Sequence, residues 1–247
     1  MDIHKIKNMK NVEEQNKVNF DKKYEFFYDK EKFIFCYYYE NDYINKTFWK
    51  KGLIYEIDLL KKLQDLNLKG TYVDAGAHFG NHTIYFSKFC MCNKIISIEG
   101  HPLNYLYLSK NIELNNCKNT ISYNRVISNI DNKLCRMNTY IKNTGFSGVV
   151  DENSTKFLSP TNLENTSITL DTLLKDEVDI SLIKFDIELH EYKGLLGCEK
   201  IIQKFKPVIV IENHKNNKDY QNILNFLKKH NYSTDGFSYA QNTLIYI

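Results

Sequence analysis

The sequence predicts an α/β protein built on a mostly parallel sheet with helices on both faces, and three observations predict it. From residue 71 onward, short apolar runs of strand length alternate with segments of helical periodicity. The stretch Thr71–Thr83, TYVDAGAHFGNHT, runs from an apolar strand through a glycine turn into a helix start. Finally, the strand ends carry acids: Asp74, Glu99, the group Asp186, Glu188 and Glu191, and Glu212 followed by His214.

Taken in chain order, residues 1–22 are rich in lysine and asparagine and read as a frayed helix or a disordered lead. Tyr24–Tyr43 has β-formers on both sides of the turn-like Asp29–Lys32 and reads as a hairpin whose aromatics serve packing. This hairpin would either cap a site or offer a homodimer surface. Apolar residues at Ile54, Ile57, Leu60 and Leu63, with Leu66 or Leu68, form a helical stripe that would lean on the sheet. Strand 71–75, helix 81–90, strand 94–99, helix 103–116 and strand 121–127 then make a parallel crossover unit. Lys133–Val150 reads as extended excursions, followed by a polar loop to about Thr166. Alternation resumes with strand Ile180–Ile187, helix Tyr192–Phe205, strand Pro207–Glu212, helix Tyr220–His230 and a terminal strand near Thr243–Ile247. The expected division is an N-terminal extension, 1–69, and one domain, 70–247.

Composition narrows the function classes. With 33 basic and 30 acidic residues and a net charge of +3, the chain has no whole-molecule footprint for nucleic acid. Its six cysteines include no C-x-x-C pair, so they read as free thiols rather than zinc ligands. The polar start and the lack of a membrane-length apolar run point to a cytoplasmic protein.

The glycine turn narrows the ligand. A dinucleotide fingerprint places a second glycine two residues after the first so that backbone can approach a pyrophosphate. Here His78 occupies that position and the pattern is Asp74, Gly76, Gly80. This suits a ligand without phosphate and with positive charge near the turn, such as S-adenosylmethionine (SAM). Asp74 would attract those cations or orient the loop, and Glu99 falls where an acid accepts both ribose hydroxyls. His78 would touch the cofactor through its backbone, while His190 is expected to be exposed.

Methyl transfer from a sulfonium is an in-line displacement, so the protein mainly aligns the reactants, and an alcohol acceptor also needs a base. Asp186 or Glu188 is the first candidate base, and His214 the second. Lys184 shares a strand face with Asp186, which leaves open a ribose 2′-O-methyltransferase acting on RNA. Asp186, Glu188, Glu212, Asn213 and His214 could also offer ligands to Mg²⁺, although their spacing does not demand a metal. A SAM-binding module without catalysis is the third reading.

The segments Val73–Thr83, Ser97–Pro102, Thr169–Leu174 and Leu182–Glu191, with Gly197 and Pro207–Glu212, resemble the FkbM-type SAM-dependent methyltransferases. That resemblance implies a seven-stranded class I methyltransferase (Rossmann-like) fold, SAM as cofactor, and O-methylation of hydroxyls on sugars, polysaccharides or related small molecules. It carries cofactor roles to Asp74, Gly76, Gly80 and Glu99, and to Ala77, His78, Asn81, Thr83, Gly100 and His101 within the same motifs. Active-site acidity falls to Asp186, Glu188 and Glu191. Members usually read Asp-x-Glu-Gly-x-Glu, whereas this chain has Leu189 at the glycine position, which predicts an altered bend or a reshaped acceptor pocket. Gly100-His101-Pro102 stands where the family often has Pro-Asn-Pro.

Overall fold

The structure, a computed structural model, describes residues 18–139, 143–150, 163–233, 237–238 and 243–246. Most of the polar N-terminal lead and residues 151–162 of the expected loop lie outside them. Strands β1 (Lys23–Tyr28) and β2 (Glu31–Cys36) form the expected hairpin. Its two turn residues, Asp29 and Lys30, both take positive φ, the geometry that matches strand twist in a two-residue turn. The short helix α1 (Tyr43–Thr47) follows, then a 3₁₀ turn at Trp49–Lys51 and helix α2 (Ile57–Asp65), which buries Leu59, Leu60 and Leu63.

The central alternation comprises β3 (Thr71–Ala75), α3 (Asn81–Phe89), β4 (Lys94–Glu99), α4 (Pro102–Leu114) and β5 (Thr120–Asn124). Next come β6 (Val126–Ile127), β7 (Leu134–Met137), β8 (Leu163–Ile168) and α5 (Leu170–Leu173). The chain then runs through β9 (Ile180–Phe185), α6 (Glu191–Leu196), α7 (Glu199–Phe205), β10 (Val208–Glu212) and α8 (Tyr220–Lys229). It ends in β11 (Phe237–Ser238) and β12 (Thr243–Tyr246).

The main sheet has the order β11-β12-β10-β9-β3-β4-β5. Only β12 runs antiparallel to its neighbours. From β3 the chain winds outward through β4 and β5, and it later winds the other way through β9 and β10. The reversal between β3 and β9 opens a crevice beyond their carboxyl ends, the place where open α/β sheets bind ligands. Period-two alternation divides each strand between two cores. Tyr72, Ile95, Leu182, Val208 and Val210 face the hairpin, α2, α3 and α4, while Val73, Ile96, Ile183, Ile209 and Ile211 face α6, α7 and α8. The expected appended extension is thus one wall of the first core.

Three expectations need correction. The strand expected over 121–127 is two, β5 at the edge of the main sheet and β6 in a small second sheet. The single helix over Tyr192–Phe205 is two helices, parted at Gly197 and Cys198. A Cβ on Gly197 would stand 2.1 Å from the Ser128 carbonyl oxygen, and the Asp171 carboxylate accepts from the Lys200 and Ile201 N–H groups at the start of α7. Part of the expected polar loop is β8, which joins β6 and β7 in a small sheet. Its inward residues include Asn165 and Ser167, polar groups satisfied by hydrogen bonds, so no apolar alternation advertises it.

The hairpin docks through side-chain amides. Asn111 on α4 accepts from Cys36 N–H (2.6 Å) and donates to the Cys36 and Phe79 carbonyls, and Asn115 pairs the same way with both backbone groups of Ile34. Truncating Asn111 leaves buried backbone groups unpaired, each worth about 1–3 kcal/mol. Asn111→Ala is therefore expected to lower stability by about 3 kcal/mol, read as a shifted urea midpoint with an unchanged slope.

Candidate active site

The crevice is a cavity of about 250 Å³ lined by the turn after β3, the ends of β4, β9 and β10, the N-terminal wall and residues 143–149. Gly76 takes φ +83, and a Cβ there would fall 1.7 Å from the Asp186 carbonyl oxygen. The turn can close against β9 only because this residue is glycine. Gly80 (φ +92) begins α3, and a Cβ there would meet Leu108 at 2.9 Å; it serves packing and does not line the cavity.

Beneath the turn, the Lys184 ammonium lies 3.3 Å from Asp74 and 3.2 Å from Asp186, within 3.5 Å of the Gly76 carbonyl. Burial opposes its charge, yet Asp186 and Asp74 outweigh burial and hold its pKa well above the usual range. Burial would likewise raise the Asp186 carboxyl, but Lys184 holds it below the usual carboxylate range. Lys184 is therefore a fixed cation rather than a base. Asp74 is fully buried and also accepts from the Thr83 hydroxyl (2.6 Å), which places Thr83 behind the cavity rather than in it.

Glu99 lines the other end of the cavity and accepts from the His78 and His101 N–H groups, each at 2.8 Å. Burial lifts its carboxyl to about 7, against these hydrogen bonds. His78, Ala77, Gly100 and Asn81 line the cavity as well. The Asn81 amide, however, is committed to Trp49 and to both backbone groups of Tyr55. His101 is fully buried and caps α4 by accepting from Asn104 N–H, so it supports the turn from outside the cavity.

At the ends of β9 and β10, carboxylate oxygens of Asp186, Glu188 and Glu212 lie within 4.8 Å of one another, a spacing a divalent ion can bridge. Burial, then the neighbouring acids, lifts Glu188 to about 9 and Glu212 to about 8. Glu212 also meets His214 (2.9 Å), whose side chain is half-exposed. Glu191, pushed to about 7 by burial, is outside the lining and accepts from Ile187 N–H across the bend.

Leu189 clarifies the family departure. Glu188 (φ +53) and Leu189 (φ +66) are both left-handed, so the bend that glycine would make easily is made here by a leucine that is 61% exposed. His190, expected to be exposed, instead lines the cavity and approaches Ser128 at 3.3 Å. Sequence reasoning also missed Tyr43, Tyr55 and Glu56 on the N-terminal wall and Asn143 and Phe146 opposite. No motif marks them, because they reach the cavity from segments distant in sequence.

A sheet of this order, with a glycine turn and an acid at the next strand end, defines the class I methyltransferase fold. A family model described as the methyltransferase FkbM domain matches residues 74–234. The chain belongs to the FkbM methyltransferase family. Among solved structures it is similar to methyltransferase FkbM from Methylobacillus flagellatus KT, at 16% identity and a TM-score of 0.52, over 72% of this chain and 43% of that one. The chain thus spans less than half of that protein's length. It is also similar to M. capricolum TrmK in complex with S-adenosyl-homocysteine (12% identity, TM-score 0.47, 79% of this chain and 67% of that one). M. jannaschii TYW2 in complex with AdoMet is a third similar structure (13%, 0.41, 93% and 85%). No curated protein matches the sequence. No helix among the described residues is long and apolar enough to cross a membrane.

Two outcomes follow. Leu189→Gly relieves a left-handed leucine that buries little, so stability is expected to rise by about 0.5–1 kcal/mol in a denaturant titration. Folded-state values of about 9 and 8 for Glu188 and Glu212, against the usual 4.5, mean that the folded protein binds more protons than the unfolded chain. Their contribution is complete below about 4.5 and is lost as pH rises through 8 to 9. The ligand-free thermal midpoint is expected to fall between pH 5 and 9, and Glu188→Gln is expected to flatten that fall.

Proposed function

We propose that this protein transfers a methyl group from SAM to a hydroxyl of a sugar, glycan or related small molecule, with a carboxylate taking the proton. The observation that carries the reading is the convergence of Asp186, Glu188 and Glu212 at one end of a cavity whose other end holds Glu99. The Gly76 turn lines the cavity, and the acids suit a nucleoside with a sulfonium and an ammonium rather than a phosphate. Glu99, with the backbone of Ala77, His78 and Gly100, would hold the adenosine end. SAM, when bound, would supply an electrophilic methyl carbon, with S-adenosylhomocysteine as the leaving group that keeps the carbon–sulfur electron pair.

The protein's part is to align and deprotonate. Tyr43 and Phe146 line the cavity while staying 47% and 56% exposed, which offers flat apolar surface for the carbon face of a sugar ring. Glu188 and Glu212 would accept hydrogen bonds from its hydroxyls. Of the three acids, Asp186 is held ionised by Lys184 and is a weak base. Glu188 and Glu212 have proton affinities nearer the working range of a base, and positive charge from the cofactor draws them down toward neutrality. Half-exposed His214, in contact with Glu212, would pass the proton to water.

An RNA acceptor fits less well. Its phosphates would meet an acidic floor, where Lys184 is held by two carboxylates and, among the described lining residues, Arg125 is the other cation.

S-adenosylhomocysteine formation with a panel of neutral sugars and glycan fragments tests the reading. Glu188→Gln and Glu212→Gln are each expected to lower kcat at least about 100-fold while SAM affinity stays within about threefold. Full activity in both variants would remove the base assignment. Activity is expected to survive EDTA; loss on chelation, restored by Mg²⁺, would instead make the three carboxylates a metal site.

A further inference from the structure

A second polar chain reaches the cavity at His78, and it begins outside the family-matched residues. Asp42, fully buried at the start of α1, accepts from the Ile44 and Asn45 N–H groups through Oδ1. Its Oδ2 accepts from Thr144 N–H (2.7 Å) and from the Thr144 hydroxyl (2.8 Å), a residue 102 positions away in sequence. Thr144 stands in the segment 143–149 that lines the cavity, and its oxygen is also 2.7 Å from Nε2 of His78 in the glycine turn. The hydroxyl proton is already given to Asp42, so that oxygen can only accept from the imidazole. His78 therefore carries its proton on Nε2, while its backbone N–H donates to Glu99.

Asn104 braces the same segment, donating to the Thr144 carbonyl (3.3 Å) and accepting from the Tyr38 hydroxyl (2.7 Å). Three separate parts of the chain thus meet at one threonine: the N-terminal wall, the segment over the cavity and the cofactor turn.

We propose that Asp42 and Thr144 are positioning residues for the cofactor: together they hold residues 143–149 over the cavity and lock His78 as its Nε2–H tautomer, so that the turn meets Glu99 in binding geometry. Burial, which pushes His78 down to about 4, keeps the imidazole uncharged beside a cofactor that carries positive charge. An imidazolium there would repel it. The inference rests on SAM occupying this cavity as proposed above.

Calorimetric titration with S-adenosylhomocysteine separates the two levels. Thr144→Val removes the bridging hydroxyl and keeps the shape and the backbone bond to Asp42. It is expected to weaken binding about tenfold, as loss of hydrogen bonds to charged and buried partners does. The thermal midpoint should stay within a few degrees, and kcat at saturating SAM within about threefold. Thr144→Ser is expected to restore affinity, and Asp42→Asn, whose single oxygen can cap α1 only by turning its NH2 toward the Thr144 N–H, is expected to weaken binding at least as much as Thr144→Val. Nitrogen-15 NMR of labelled histidine should show His78 protonated at Nε2. Unchanged affinity in Thr144→Val, or a proton on Nδ1, would overturn the positioning role. Absence of binding in the unaltered protein would instead overturn the placement of SAM.

Discussion

Lys184 is the constraint on which the rest of the site depends. Its ammonium joins Asp74 at the end of β3 to Asp186 at the end of β9, across the point where the winding of the sheet reverses. Three charges taken from water carry a desolvation cost that only mutual pairing offsets, and removal of one partner costs about 3–5 kcal/mol. The triad works as a rivet: it pulls the strand ends together tightly enough that only glycine fits at position 76. The cofactor turn is thereby set before any ligand arrives, and the crevice lies between ends that cannot drift apart.

The remaining acids work under the opposite condition. For Glu188, Glu212 and Glu99, burial and then the neighbouring acids raise the proton affinities. Under the proposed function, positive charge on the bound cofactor would draw those proton affinities down toward the working range of a base. One lysine thus divides the carboxylates into an ionised pair and a set with raised proton affinity. The left-handed bend at Glu188 and Leu189 aims the second set, at a backbone cost that glycine would avoid.

Much of this was legible in the sequence. Apolar runs ending in acids marked β3, β4, β9 and β10, and the absence of a glycine at His78 pointed away from pyrophosphate. The Lys184-x-Asp186 spacing put both side chains on one strand face, and they meet there. Other features were hidden for physical reasons. The inward face of β8 carries Asn165 and Ser167, whose burial depends on hydrogen bonds that no periodicity reports. Gly197 breaks a continuous helical pattern because the Ser128 carbonyl presses on it, a long-range contact. Thr83 and His101 sit inside cofactor motifs yet serve as supports, since a motif records chain position and not the direction of a side chain. The N-terminal wall was legible as a hairpin and a helix but not as part of the cavity, because Tyr43, Tyr55 and Glu56 reach it only through the packing of the whole fold.

Crystal structures of the protein with and without S-adenosylhomocysteine test the central claim most directly. A preset turn predicts that Lys184 keeps both carboxylate contacts, near 3.3 and 3.2 Å, in each, with the nucleoside's ribose hydroxyls on Glu99. If Lys184 left Asp74 or Asp186 to meet the ligand, or if the ribose bound away from Glu99, the rivet would be a ligand-binding arm and the account would be wrong.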